Sequence, residues 1–341
     1  MKANILSLDS GGIRAIATAK ILVEIENRLI DHNDRSRLTD YFDLVAATGM
    51  SAIIAAMLTL PDQNGRPIYK AQDILNFFLN EGTKIFDVSL WKKLSSIGGL
   101  TDEKYSATYL DKVLNQYFDS AMLANTTTAV MITAYDIRNR AARIFATTDT
   151  RIEGRNFQIK DICRASMATP SYFEPAKIKS ATDTPYTFID GGLFAANPGM
   201  TAYAEARRIN FAEYTDNEYK PVNPGAESMF FISIGTGQVK KPYYYEDAKD
   251  WGNIQWLKPI IDITNTSNIE TNHFILNEIF KTCSVPDDYI RMSPELVQVS
   301  SHFDDTSESN IKAILDSSDI FISQHKELLD NVANKLISFS K

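Results

Sequence analysis

Residues 41–58, YFDLVAATGMSAIIAAML, contain the pattern that decides the fold of this chain. The apolar run Phe42–Ala46 predicts a buried strand, and the apolar run Ile53–Leu58 predicts a packed helix. The few residues between them must turn sharply to join the two elements. A strand, a tight turn and a helix in this order are typical of a sheet whose strands are covered by helices.

The alternation of strands and helices continues on both sides of this stretch. A strand at Ile5–Leu8 precedes a helical pattern that begins at Ile13. A strand pair is predicted at Val130–Tyr135 and Arg143–Ala146, and Met229–Ile234 has the continuous apolar character of a strand buried on both faces. We therefore predict an α/β fold with a mainly parallel sheet.

The character of the sequence changes beyond about residue 240. Strand-like runs give way to helical periodicity at Asn265–Phe280 and Ser309–Phe339. We predict one domain over residues 1–240 and a mostly helical C-terminal region, residues 241–341, packed on the same domain.

Composition excludes several classes of protein. The 341 residues, 44% of them hydrophobic, can bury a substantial core, and the net charge of −8 argues against nucleic acid as a partner. Cys163 and Cys283 are too far apart in sequence to suggest a disulfide framework or a zinc site. No apolar run approaches the roughly 18 residues of a transmembrane helix, and the N-terminus lacks a signal-peptide core. We expect a soluble protein, cytoplasmic or exported without a classical signal peptide.

The segment Asp9–Arg14, DSGGIR, lies between a predicted strand and a predicted helix. Backbone N–H groups at such a helix start converge on one point and attract an anion. A carbonyl oxygen that becomes negative during acyl transfer needs such donors, so Gly11, Gly12 and Arg14 are candidates for an oxyanion hole. A plain glycine turn and a phosphate-binding loop are the alternatives, whereas the third glycine of a dinucleotide fingerprint is absent.

Asp190-Gly191-Gly192 follows the predicted strand Tyr186–Ile189. In open α/β sheets the carboxyl ends of strands collect functional groups, so Asp190 is a candidate general base. The alternative is an Asp-Gly hairpin turn with no chemical role.

In order and spacing, these segments resemble the patatin-like phospholipase family over most of residues 4 to 240. Residues 5–15 look like the family's D-G-G-G-x-[RK]-G start, and residues 37–43 look like its approach to the nucleophile turn. Further similar segments are Asn64–Pro67, Lys84–Phe86, Ala168–Phe173, Asp190–Gly192 with Ala196–Pro198, and Ser233–Gly237.

The resemblance implies a three-layer α/β/α sandwich and lipid acyl hydrolysis by a Ser-Asp dyad, with a phospholipid or another acyl lipid as substrate. The serine attacks the acyl carbonyl, Asp190 takes its proton, and the glycine loop holds the oxyanion. No histidine, metal or cofactor is required. Peripheral contact with a membrane is compatible with this activity, and the oligomeric state is not predicted.

The nucleophile turn departs from the family pattern. When its strand and helix are matched to the family without a gap, the family's G-T-S-T-G-G falls on residues 47–52 and Gly49 takes the serine position. Ser10 and Ala15 also stand where the family has glycine. In this register nothing at the turn can attack an ester.

Two other arrangements keep a serine in the site. A slip of two residues would centre the turn on Ser51, but it rotates the helix by about 200°, which would turn its packed side outward, and puts the β-branched Ile53 at a tight position. Alternatively, the backbone stays in place and Ser51 reaches toward Asp190 from the first helical turn as a surrogate nucleophile, or only caps the helix.

Two functions follow from these alternatives. The first is a lipid acyl hydrolase scaffold that is weak or inactive as written, because Gly49 occupies the nucleophile position. The second is a non-catalytic patatin-like protein that binds lipid or a protein partner.

Overall fold

A computed structural model describes residues 1–32, 36–87, 104–239 and 242–340. Its centre is one eight-stranded sheet in the order β5-β6-β3-β2-β1-β7-β8, with β4 also paired to β3. The strands are β1 Ala3–Leu8, β2 Leu44–Ala47, β3 Ala129–Asp136, β4 Ala141–Ala146, β5 Ala176–Lys179, β6 Pro185–Asp190, β7 Met229–Ile234 and β8 Tyr289–Met292.

Helices cover both faces of the sheet. The helices longer than one or two turns are α1 Ala15–His32, α2 Ser51–Thr59, α3 Ala71–Phe77, α4 Ala107–Phe118, α5 Ile159–Ser166, α6 Gly199–Ala206, α7 Asn253–Thr282, α8 Glu308–Gln324 and α9 Lys326–Phe339. Helices α6 and α7 pack on one face, and α1 to α5 with α8 and α9 pack on the other.

Strand residues alternate between the two cores, as the pleat requires. In β1, Leu6 and Leu8 belong to the larger core beneath α1, whereas Ala3 and Ile5 belong to the smaller core beneath α7. All six residues of β1 are buried, which explains why this strand is apolar at nearly every position. The predicted three-layer α/β fold is confirmed.

The sheet is mainly parallel, as expected, but the strands at the β5 edge are antiparallel. The β1–β2, β1–β7, β2–β3 and β7–β8 pairs are parallel, while β4 and β6 run antiparallel to β3. Strand β8 lies in the C-terminal region and extends the sheet beyond β7. The sequence analysis missed it, because four residues without alternating polarity carry little strand signal.

No helix in the described parts of the chain has both the length and the apolar character needed to cross a membrane.

A buried ion pair ties the start of the sheet to the end of the chain. Lys220 Nζ donates to Asp43 Oδ2 at 2.7 Å and to the backbone oxygens of Lys2 and Phe339 at 3.1 and 3.3 Å. The same Asp43 oxygen accepts the backbone N–H of Asn4 at 2.7 Å. Both charged side chains are buried, so each depends on the other.

We expect Lys220→Ala to lower the free energy of unfolding by about 3 to 5 kcal/mol, because it leaves the Asp43 carboxylate buried without its cation. Urea denaturation followed by circular dichroism measures this loss. The matched control is Lys179→Ala at the exposed Lys179–Asp183 pair, where we expect less than about 1 kcal/mol. Equal effects of the two substitutions would contradict this account.

Candidate active site

Three turns meet at the carboxyl edge of the parallel strands. Leu8 at the end of β1 pairs with Ala47 of β2 on one side and with Ile234 of β7 on the other. The turns that follow these residues therefore begin at the same level. Thr236 Oγ1, in the turn after β7, donates a hydrogen bond to the Ser10 carbonyl at 3.0 Å.

Gly49 is the apex of the turn between β2 and α2. Its φ of +61° lies in the left-handed region, which side chains adopt only under strain. A strained strand-to-helix turn is the setting in which hydrolases hold their nucleophilic serine. The Gly49 N–H donates to Ser166 Oγ at 2.9 Å, which ties the turn to the end of α5. The backbone thus has the shape of a nucleophile turn, and the residue at its apex has no side chain.

Ser51 makes no hydrogen bond to Asp190 among the described residues. It is the first residue of α2, it is fully buried, and its Oγ donates to the backbone oxygen of Asp9 at 2.6 Å. This hydrogen bond holds the loop after β1 against the start of α2. Neither the helix-cap geometry nor the reach toward Asp190 considered above is present.

Helix α2 does not have the single packed side that we expected when we weighed a two-residue slip. All nine of its residues are buried. Rotation of such a helix does not by itself expose an apolar face. The register is instead marked by the left-handed backbone at Gly49, which puts the apex of the turn at residue 49, whereas Ser51 is already the first residue of α2.

Asp190 ends β6 and lies at the same site, because β6 pairs with β3 and β3 pairs with β2. Its Oδ2 accepts from the Thr169 hydroxyl at 2.6 Å, and its Oδ1 accepts from the Gly192 N–H at 2.7 Å. Burial raises the pKa of this carboxyl to about 6, and these two hydrogen bonds only partly offset the effect.

The glycine loop offers two free donors. The N–H groups of Gly11 and Gly12 have no hydrogen-bond partner among the described residues, whereas the N–H of Ile13 donates to the Phe303 oxygen at 2.8 Å. The backbone N–H and Nε of Arg14 both donate to the Gly11 oxygen, at 3.2 and 3.4 Å. Arg14 therefore braces the loop, and burial lowers the pKa of its guanidinium.

The loop is packed too tightly for larger residues. A Cβ atom on Gly11 would overlap Thr236 Oγ1, and one on Gly12, whose φ is +59°, would overlap the Phe303 oxygen. The carboxylate of Asp9 faces the other way and pairs with Arg291 of β8. Asp9 thus anchors the loop to the sheet and does not face the candidate oxyanion site.

Ser10 lies at the candidate site, although the sequence marked it only as a departure from the family's glycine. A Cβ atom on Gly49 would overlap Ser10 Oγ and lie 3.2 Å from Ser10 Cβ. The ideal Cβ position on Gly192 lies 3.4 Å from Ser10 Oγ and 3.1 Å from Asp190 Oδ1. The Ser10 hydroxyl therefore occupies the volume that a serine at position 49 would need, next to Asp190. The only signal in the sequence was the pair of exchanged residues, serine at 10 and glycine at 49.

Comparison with known proteins decides the family. A family model described as patatin-like phospholipase matches residues 6–203. The chain belongs to the patatin-like phospholipase family. It is 34% identical to Patatin-like protein 4 of Arabidopsis thaliana over 89% of this chain and 79% of that protein.

Two further relatives span most of this patatin-like chain. Patatin-like protein 1 of Arabidopsis thaliana is 31% identical, over 98% of this chain and 81% of its own length. Probable inactive patatin-3-Kuras 1 of Solanum tuberosum is 30% identical, over 90% of this chain and 83% of its own length. The family is one of lipid acyl hydrolases, and it implies acyl lipids as substrates.

The raised pKa of Asp190 in this patatin-like site makes a prediction about stability. The pKa of Asp190 in the folded chain lies above that of an unfolded aspartate, so its ionisation destabilises the fold. This loss of stability is complete above about pH 6 and absent below about pH 4. The variant Asp190→Asn lacks this penalty. We therefore expect its free energy of unfolding, relative to that of the unmodified chain at the same pH, to be about 3 kcal/mol higher at pH 8 than at pH 4.

Urea denaturation of both proteins at the two pH values measures this difference. Asp183→Asn, at an exposed turn, controls for the loss of one negative charge. A gain that is equal at pH 4 and pH 8 would show that Asp190 ionisation carries no penalty in the fold.

Proposed function

We propose that this chain is a patatin-like lipid acyl hydrolase scaffold that binds acyl lipids and, as written, hydrolyses carboxylic esters weakly or not at all. The observation that carries the proposal is Gly49, with its left-handed backbone, at the apex of the turn between β2 and α2. The dyad that the family resemblance implies has its hydroxyl at that apex, and glycine cannot provide one.

The rest of the catalytic arrangement is retained. Asp190 is a buried carboxyl whose pKa of about 6 suits a general base near neutral pH. Gly11 and Gly12 have N–H groups that meet no partner within the described ranges and that suit an oxyanion. In this proposal the cleft keeps its affinity for an acyl ester, and the step that fails is the attack on the carbonyl carbon.

A non-catalytic role is the second candidate. The glycine at the apex and the serine in the loop both favour it, as does the similarity to a relative that is itself named a probable inactive patatin. In this role the same cleft binds a lipid or a protein partner without turnover.

An exposed apolar surface, linked to the glycine loop through Asp262, supports delivery of a lipid from a membrane. Tyr244 and Tyr245 are 65% and 76% exposed, and Ile260 on α7 is 53% exposed. The Tyr243 hydroxyl donates to Asp262 of α7 at 2.9 Å, and the Asp262 charge acts on Arg14. Exposed tyrosine and isoleucine side chains suit the interfacial region of a lipid bilayer.

Restoring the family arrangement should restore hydrolysis. We expect Gly49→Ser alone to remain weak, because its Cβ overlaps Ser10 Oγ, and the double variant Ser10→Gly/Gly49→Ser to exceed the unmodified chain by about 10²-fold or more in kcat/KM. The assay is hydrolysis of p-nitrophenyl butyrate, with thermal denaturation to verify folding.

Two outcomes would count against the proposal. An unmodified chain as fast as the folded double variant would show that Gly49 does not limit turnover. A double variant that is folded but inactive, and that still binds lipid, would favour the non-catalytic role.

Vesicle binding tests the lipid contact separately. We expect Tyr244→Ser/Tyr245→Ser/Ile260→Ser to weaken binding to phosphatidylcholine vesicles about tenfold or more in a sedimentation assay, because about 1.4 kcal/mol of lost apolar contact corresponds to that factor. Tyr219→Ser/Val222→Ser is the matched control, because these two residues are 68% and 57% exposed and lie away from the candidate site. They flank Lys220, which contacts the chain at the amino end of β1, whereas the site lies at its carboxyl end. Equal loss in both variants, or no loss in the first, would argue against this surface.

A further inference from the structure

The Ser10 hydroxyl lies in the site but stabilises no other part of the described structure through a hydrogen bond. Ser10 is partly exposed, and its Oγ has no hydrogen-bond partner among the described residues. Its backbone, by contrast, is fixed on both sides: the N–H donates to the Ala196 oxygen at 2.8 Å, and the carbonyl accepts from Thr236 Oγ1 at 3.0 Å. A hydroxyl held by a rigid backbone and left without a partner can react at low cost in reorganisation.

The Ser10 hydroxyl lies near the groups that a nucleophile needs, although no hydrogen bond joins it to Asp190 among the described residues. Ser10 Oγ fills the volume that a serine side chain at position 49 would take, and it shares the space around Gly192 with Asp190 Oδ1. The residue that follows it, Gly11, and also Gly12 have N–H groups with no partner in the part of the chain that the structure describes. Many hydrolases use the N–H of the residue after the nucleophile as one oxyanion donor.

The local chain path is also suitable. Ser10 follows β1 and precedes the helical turn Gly12–Arg14 and α1, so it stands on a strand-turn-helix of its own. Gly12 supplies the left-handed backbone of this turn, with φ +59°. The chain therefore carries two adjacent strand-turn-helix units, in which the left-handed residue is Gly49 in one and Gly12, two positions after Ser10, in the other.

We propose that Ser10 is the nucleophile of this site and that Asp190 is its general base. The assignment rests on the proposed function, from which it takes the acyl ester as substrate, and it names the group that carries any residual turnover. In this arrangement the hydroxyl has moved from the turn after β2 to the turn after β1, while the base and the oxyanion donors have stayed in place.

The chemical steps balance without a further reactant except water. Ser10 Oγ bonds to the acyl carbon as its proton passes to the Asp190 carboxylate, and the N–H groups of Gly11 and Gly12 stabilise the oxyanion. The bond from the acyl carbon to the alcohol oxygen then breaks, and Asp190 returns the proton to that alcohol. Water attacks the acyl-Ser10 ester with Asp190 again taking the proton, and the fatty acid leaves as Ser10 regains its hydrogen.

A fluorophosphonate probe tests the assignment directly. Ser10 Oγ would bond to phosphorus as fluoride leaves and the proton passes to Asp190. We expect one adduct on the unmodified chain, located on Ser10 by peptide mass spectrometry. We expect Ser10→Ala to abolish labelling and Asp190→Asn to slow it about 100-fold or more, within the usual contribution of a general base.

The matched control is Ser51→Ala, which removes the other serine hydroxyl near Gly49 but should leave the adduct on Ser10. The melting temperature of Ser10→Ala should stay close to that of the unmodified chain, because its hydroxyl holds no other group. If Ser10→Ala does not fold, the site of the adduct on the unmodified chain still decides the question.

Either absence of labelling on the unmodified chain or an adduct on another residue would overturn the assignment. Vesicle binding by the unmodified chain is measured separately. A chain that binds lipid but is not labelled would refute the role of Ser10 and leave the proposed lipid-binding function intact. A chain that neither binds lipid nor reacts would refute both.

Discussion

The parallel pairing of β1 with β2 and β7 is the constraint on which the site depends. Strand β1 is buried on both faces and hydrogen-bonded along both edges, so its register cannot slip by one residue without moving its side chains into the wrong core. Because Leu8, Ala47 and Ile234 stand at one level, the turns after them meet. This meeting brings Ser10, Gly49 and the glycine loop together near Asp190.

Within that edge, positions 10 and 49 compete for one volume. A Cβ atom on Gly49 overlaps Ser10 Oγ, so the two residues are coupled by van der Waals exclusion and their substitutions should not be additive. In the match proposed from the family resemblance, the glycine of the loop and the serine of the apex are exchanged in this chain. The site thus keeps one hydroxyl in nearly the same space while it retains Asp190, whose burial costs stability at neutral pH.

Much of the scaffold could be predicted because its signals are local. The apolar run at Met229–Ile234 is observed as β7 with the same bounds, and the long helical pattern before residue 341 is observed as α8 and α9. Strand β8 was missed, since its four residues become a strand only by pairing with β7. The expectation that a two-residue slip would turn the packed side of α2 outward was wrong for a similar reason. Neighbouring elements bury α2 on all sides, and this leaves no amphipathic pattern in the sequence.

The sequence by itself determined the α/β architecture, the family and the absence of a side chain at Gly49, because periodicity, motif order and residue identity are properties of the chain alone. Only the tertiary structure decided what stands in for that side chain. Ser51, two residues away, is tied to the Asp9 oxygen, while Ser10, thirty-nine positions earlier, fills the empty space. Distance along the chain does not predict such a contact, because strand pairing, and not sequence separation, sets which turns share an edge of the sheet.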